Sequence, residues 1–207
     1  MNSPLRLTDR KRAAIVQAAI AEFRSHGFEA TSMDKIAASA EVSKRTVYNH
    51  FPSKDDLFSA ILLHLWQSAA ETAEVRYQRD RSLKAQLIEF LQNKMRMVCD
   101  PNFIDLARVA VAATIHTPDR ARDMVDKLKS QEQGIVPWIK AAQADQQLRE
   151  ADPNLMGDML QGQLKALAFW PQIAMGQPIL NEQQQAIVIR ATAEMFLTYY
   201  QLDPEQR

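Results

Sequence analysis

A chain of 207 residues holds one large domain or two small ones, and 46% apolar with 24% charged residues is the balance of a soluble globular protein. Its 25 Lys+Arg against 25 Asp+Glu leave no net charge, which excludes a uniformly basic surface, yet positions 1–12 alone hold four basic residues and one acidic. No apolar run is long enough to span a bilayer, no secretory leader precedes the first helix, and the single cysteine, Cys99, cannot form an intramolecular disulfide, so a cytoplasmic protein with no membrane partner is expected.

Apolar residues recur with helical period along the whole chain, and five glycines (27, 134, 157, 162 and 176) leave few places for hairpins. The fold class is therefore all-α. Helices are predicted over 9–26, 33–40, 44–50, 54–78, 82–98, 101–115, 119–144, 153–175 and 182–200. Asp100-Pro101, Thr117-Pro118 and Asp152-Pro153 each set a capping oxygen before a proline at the first helical position, where its missing N–H costs nothing. Thr31…Asp34, Ser53…Asp56 and Asn181…Gln184 have capping-box spacing. Gly27 and Gly176 follow helical runs that call for a left-handed residue.

In the first helix Ile15, Ala19 and Phe23 form one apolar stripe, preceded by Arg10, Lys11 and Arg12, which suit DNA phosphate or a flanking minor groove. The second helix opens at Thr31 and Ser32, whose hydroxyls suit a phosphate, and turns Ile36, Ala37 and Ala40 inward. A turn of three to four residues around Val42 leads to a third helix capped by Ser43. There Val47 and Phe51 point inward, leaving Lys44, Arg45, Thr46, Tyr48, Asn49 and His50 outside. This helix has no Asp or Glu, and its outward residues match base and phosphate chemistry. Lys and Arg donate to guanine, Asn pairs with adenine, and Thr offers a methyl to thymine, while Tyr, His and the following Lys54 suit phosphate oxygens. Two short helices joined so tightly, the second with a polar face, form a helix-turn-helix.

Phe23-x-x-x-Gly27-Phe28-x-x-Thr31-Ser32-Met33-x-x-Ile36-Ala37, followed by Val42-Ser43-Lys44-x-Thr46-Val47-Tyr48-x-His50-Phe51-x-Ser53-Lys54-x-x-Leu57, resembles the DNA-binding domain of TetR/AcrR-type repressors over residues 9–60. The resemblance implies a DNA-binding domain over 1–55 and a ligand-binding and dimerisation domain over 56–207. It also implies a homodimer on a palindromic double-stranded DNA operator, released by a small-molecule inducer. Two positions depart from the commonest pattern. Glu41 stands where glycine often makes the turn, which predicts a positive φ, and Arg45 replaces a frequent glycine on the recognition helix.

The remaining helices are rich in methionine and aromatic residues, more often core than pocket, although methionine also makes an adaptable lining for an apolar inducer. Phe103, Arg108, His116, Trp138, Gln163 and Trp170 are the candidate ligand-binding residues. Arg108 stands three residues after Asp105, a spacing that favours a pair on the helix surface over a ligand contact. By resemblance the helices over 153–175 and 182–200 form the dimer interface. Gly157, Gly162, Ala166, Ala168, Ala191 and Ala193 permit close approach there, and Leu164, Phe169, Ile187, Met195, Phe196 and Tyr199 supply apolar area. Trp170-Pro171 should kink or end the eighth helix.

An enzyme and a helical scaffold without DNA activity are the competing classes. Neither a glycine-rich phosphate loop nor histidines at metal-ligand spacing occur, so no catalytic residue, metal or cofactor is expected. A scaffold leaves the third helix's polar face without a purpose.

Overall fold

The computed structural model describes residues 7–73, 75–114, 122 and 134–203, with the backbone alone for residue 7 and residues 64–73. Ten helices lie among them: α1 (Leu7–His26), α2 (Met33–Ser39), α3 (Lys44–His50), α4 (Lys54–Ala73), α5 (Leu83–Val98), α6 (Pro101–Thr114), α7 (Val136–Ala144), α8 (Pro153–Ala168), α9 (Trp170–Ala174) and α10 (Glu182–Tyr200). One isolated antiparallel bridge, Leu148 to Gln201, is the extent of β pairing among the described residues. The fold is all-α, as the periodicity predicts.

Packing divides the chain into two compact units, one drawn from Met1–Trp66 and Asp105–Ser130, the other from Gln67–Ile104 and Gln131–Arg207. The division by packing thus differs from a single cut after residue 55. It falls inside α4 and inside α6, and each of these helices serves both units.

In the N-terminal unit Ile15, Ala19 and Phe23 of α1 meet Ile36 and Ala37 of α2, Val47 of α3, and Leu57, Phe58 and Ile61 of α4 in one buried cluster. Phe23, Phe28 and Phe58 form an aromatic knot, with centroids 4.8 to 5.7 Å apart. Leu106, Val109, Ala110 and Ala113 of α6 close the same core. Asp105 sits between Arg24 of α1 and Arg108, whose Nη1 lies 3.3 Å from its carboxylate.

The α2–α3 turn closes as the sequence anticipates. Glu41 takes φ 53, while its N–H donates to the Ala38 carbonyl and that of Val42 donates to the Ala37 carbonyl, both at 3.1 Å. This is the paired-bond ending usually given to glycine. Gly27 (φ 79) closes α1 in the left-handed region, as Gly176 (φ 65) does after α9.

In the C-terminal unit α10 packs along α5 and α8, and α7 along α8. Leu87, Phe90, Leu91 and Met95 of α5, Trp138 and Ile139 of α7, Met156 and Leu160 of α8, and Ala193 and Phe196 of α10 are buried together. Gln86, fully buried, is the polar centre of this core. Its Oε1 accepts from the Gln78 N–H (2.8 Å) and Trp138 Nε1 (3.1 Å), and its Nε2 donates to the carbonyls of Gln78 (2.8 Å) and Arg81 (2.9 Å).

Three predicted boundaries change. The helix expected over 54–78 ends at Ala73, because Val75 enters the core and Gln78 gives its backbone groups to Gln86. The helix expected over 119–144 is not continuous: Gly134 sits at φ 41 and Pro137 opens a fresh helix, α7. The residues before 134, with Thr117-Pro118, His116 and Met124, lie outside the described residues, Arg122 apart. The helix expected over 153–175 breaks at Phe169 (φ −127, ψ −63), just before Trp170-Pro171, where a break or kink is expected.

Because an L-residue in the left-handed region costs about 1 kcal/mol or more, Glu41→Gly is expected to stabilise the protein by roughly 0.5–1 kcal/mol even though it adds glycine entropy to the unfolded chain. Urea unfolding of the two proteins checks this; a lowered midpoint would show that Glu41 carries a favourable interaction larger than its strain.

Candidate nucleic-acid interface

Short helices hold the candidate surface in place. Ser32 caps α2, accepting from the Lys35 N–H at 3.2 Å, and Ser43 caps α3, accepting from the Thr46 N–H at 3.1 Å; the Ser43 and Thr46 hydroxyls are 2.8 Å apart. Val47 is fully buried and Phe51 nearly so. With these two inside, Lys44, Arg45, Tyr48 and Asn49 are exposed, and Thr46 and His50 are half-buried. Arg45 and Asn49 make no side-chain hydrogen bond or ion pair among the described residues, so their donors are available to a partner.

Lys44 is already engaged. Its Nζ lies 2.8 Å from Oδ1 and 2.9 Å from Oδ2 of Asp34 in α2, and 6.0 Å from the Tyr48 ring centroid. Hydrogen bonding to Asp34, and then that carboxylate's charge, raise the Lys44 pKa above the usual lysine value. A further cation, Arg12 of α1, lies 4.9 Å above the Phe51 ring and adds an exposed guanidinium beside the end of α3.

Two residues expected to meet DNA are directed inward. Thr31 is 2% exposed, and its hydroxyl donates to the Gly27 carbonyl at 2.8 Å, with the Glu22 carbonyl at 3.3 Å. Its spacing marks a helix start, but Ser32 is the residue that caps. Lys54 is half-buried and its ammonium donates to the carbonyls of Phe28 (2.7 Å), Glu29 (3.2 Å) and Thr31 (3.0 Å) while lying 4.5 Å from the Phe28 ring centroid. An ammonium has three protons, and here each has a backbone acceptor. Lys54 ties the start of α4 to the α1–α2 corner.

The residues expected to line a ligand site do not converge. Phe103 is half-buried against Phe169, their rings 6.0 Å apart, and Gln163 is half-buried on α8. Trp138 is a core residue, 1% exposed and bonded to Gln86. Trp170 is 47% exposed. Arg108 is an exposed residue of the N-terminal unit paired with Asp105, the helix-surface arrangement that its spacing also allows. His116 lies outside the described residues.

Sequence reading missed a groove of about 430 Å³ between α5 and α10, lined by Ile88, Gln92, Met95, Arg96, Gln185 and Arg190 among others. Nothing in local periodicity brings residue 96 to residue 190. Burial pushes the Cys99 thiol pKa up, away from reactive thiolate character.

Residues 15–61 match the family described as bacterial regulatory proteins, tetR family, and residues 85–202 match the AefR-like transcriptional repressor C-terminal domain. The sequence is 25% identical over 175 residues to the HTH-type transcriptional regulator RutR of Escherichia coli O157:H7, covering 81% of this chain and 79% of that protein. It is 28% identical over 137 residues to the HTH-type transcriptional activator FasR of Mycolicibacterium smegmatis, covering 61% of this chain and 62% of FasR. The crystal structure of a TetR family transcriptional regulator from Pseudomonas syringae pv. tomato DC3000 is 49% identical, with a TM-score of 0.83 over 95% of this chain and all of that one. The flavonoid-responsive regulator FrrA is 27% identical, with a TM-score of 0.73 over 93% of this chain and 98% of its own.

Because its three donors hold an inter-helix corner, Lys54→Ala should lower stability by about 1–3 kcal/mol, with Lys54→Arg rescuing poorly because a planar guanidinium fork does not fit three converging carbonyls. Thermal unfolding without DNA measures this. An unchanged midpoint would return Lys54 to the DNA surface.

Proposed function

The chain belongs to the TetR family of transcriptional regulators, and from that premise we propose that it is a repressor that binds a palindromic operator as a homodimer and leaves it when a small, mostly apolar inducer binds. The observation that carries this reading is the outward face of α3: exposed Lys44, Arg45, Tyr48 and Asn49 on a helix without one carboxylate.

In this reading residues 1–55 bind DNA and residues 56–207 sense ligand and dimerise. Lys44, Arg45, Thr46 and Asn49 meet base edges. Ser32, Ser43, Tyr48 and His50, with Arg12 beside them, meet phosphate.

Exposed apolar stripes support dimerisation. Leu155, Met159 and Leu167 of α8 and Ile187, Met195 and Tyr199 of α10 are each between 51% and 62% exposed. Gly162, Ala166 and Ala191 lie exposed on the same two helices and allow close approach. Large apolar residues gathered on two helices of one unit support the reading of a surface that a partner covers. The expected interface also included Ala168, Ala193, Leu164 and Phe196; these four are buried inside the chain, and Gly157 is closed off by Ile135, whose Cγ2 lies 3.2 Å from where its Cβ would stand.

The repressor reading is supported by the AefR-like match, and the inducer reading by FrrA's response to flavonoids. Phe103 and Gln163, half-buried in the C-terminal unit, remain candidates for ligand contact. α4 and α6, which serve both units, are the elements through which an inducer would act. A thousandfold loss of operator affinity needs about 4 kcal/mol of coupling, and operator must weaken inducer binding by the same factor.

Selection from random duplex DNA is expected to yield an inverted repeat. Arg45→Ala or Asn49→Ala should relax preference at particular base pairs, at about 1–3 kcal/mol each. Selected sites without a dyad would overturn the operator reading. Changing Ile187 and Met195 together to Asp should give a monomer by sedimentation with much weaker binding to the selected repeat; a persistent dimer would place the interface elsewhere.

A further inference from the structure

The first residue of α3 and the second of α2 form a charge pair on the surface assigned to DNA. Asp34 is the one carboxylate in the two helices, and Ser32 rather than Asp34 caps α2. The Asp34 side chain is 60% exposed, so helix capping does not account for where it points. Both carboxylate oxygens face Lys44 Nζ, at 2.8 and 2.9 Å. The helices that carry them are locked by the bonded turn at Glu41–Val42 and by the burial of Ile36 and Val47, so the backbone holds the two positions within reach of each other.

We propose that Asp34 is a specificity-determining residue, which cancels the charge of Lys44 toward phosphate and leaves it as an oriented donor for a base edge. The inference rests on the reading of α3 as the DNA-contacting helix. An ammonium carries three protons. One is donated to Asp34 Oδ2 at 2.9 Å, with Oδ1 as near at 2.8 Å, so the carboxylate holds one side of the ammonium and the remaining protons are directed away from it. A free lysine is taken by any phosphate and strengthens binding to every sequence through counterion release. A lysine paired with a carboxylate adds little to that sequence-independent attraction, and Asp34 itself repels the phosphate backbone. A base acceptor such as guanine O6 or N7 still receives one of the remaining protons. Asp34 therefore disfavours the wrong mode of binding rather than adding a contact to the right one.

The test measures full-length wild type, Asp34→Asn and Asp34→Ala on two probes: a random-sequence duplex and a duplex selected by the wild type. The expected result is that random-duplex affinity rises about two- to fivefold, as for loss of an exposed ion pair, and that the salt dependence on that probe steepens by about one unit of slope. Affinity for the selected duplex should rise less, so the ratio between the probes falls. In a Lys44→Ala background, Asp34→Asn should leave the ratio unchanged. An equal rise on both probes, or the same fall in ratio without Lys44, would reduce Asp34 to a diffuse negative charge and overturn the proposal. Failure of the wild type itself to bind either probe would overturn the DNA reading along with it, and is distinguished by appearing before any substitution.

Discussion

A helix of seven residues does not hold together in water, because the nucleation cost is not recovered over so few hydrogen bonds. α2 and α3 are both of this length, and everything attributed to α3 depends on that limit being overcome from outside. Burial supplies the means. Ile36, Val47 and Phe51 are almost wholly withdrawn from solvent into a core that α1, α4 and the end of α6 complete. The two serine caps and the left-handed Glu41 then fix where each helix begins and how one follows the other. The polar face of α3 is what remains when those apolar residues have been placed inward.

The same economy explains the fate of Lys54 and Thr31. Leaving α1, the chain turns through residues 27–31 and exposes carbonyl groups at a crowded corner. Lys54 and Thr31 bind those carbonyls, and a lysine ammonium placed over the Phe28 ring gains from the aromatic face as well. A residue type suited to DNA phosphate is equally suited to a backbone oxygen, and proximity decides between them. The corner is also where α4 starts, and α4 runs on into the second unit.

The C-terminal unit divides its apolar residues between an internal core and an outward surface. Trp138 belongs to the core because its indole N–H is satisfied by Gln86, a fully buried amide whose four bonds leave no polar group wanting. Leu155, Met159, Ile187 and Met195 are more than half exposed among the described residues. The contrast separates apolar residues that stabilise the fold from apolar residues left on its surface, and composition alone gives no means of telling them apart.

Local sequence determined what local physics controls. The helical period gave the fold class and the inward residues Ile15, Phe23, Ile36, Val47 and Phe51, and capping chemistry located most helix starts. Glu41 at the turn announced a positive φ, and Trp170-Pro171 a break in the eighth helix. The motif over residues 9–60 was enough to identify the DNA-binding helices. Tertiary structure alone decided where long-range partners compete for a side chain or a backbone group. It ended α4 at Ala73, because Val75 enters the core and the Gln86 side chain, eight residues on, claims Gln78. It turned Thr31 and Lys54 toward carbonyls, paired Lys44 with Asp34, and joined the end of α6 to the N-terminal core. It also scattered the residues expected to share a ligand site. Periodicity reports which face of a helix is apolar, a property of neighbours three and four residues apart. Which groups finally satisfy one another is settled by contacts beyond that spacing, from eight residues for Gln78–Gln86 to 26 for Phe28–Lys54, and these exist only once the chain has packed.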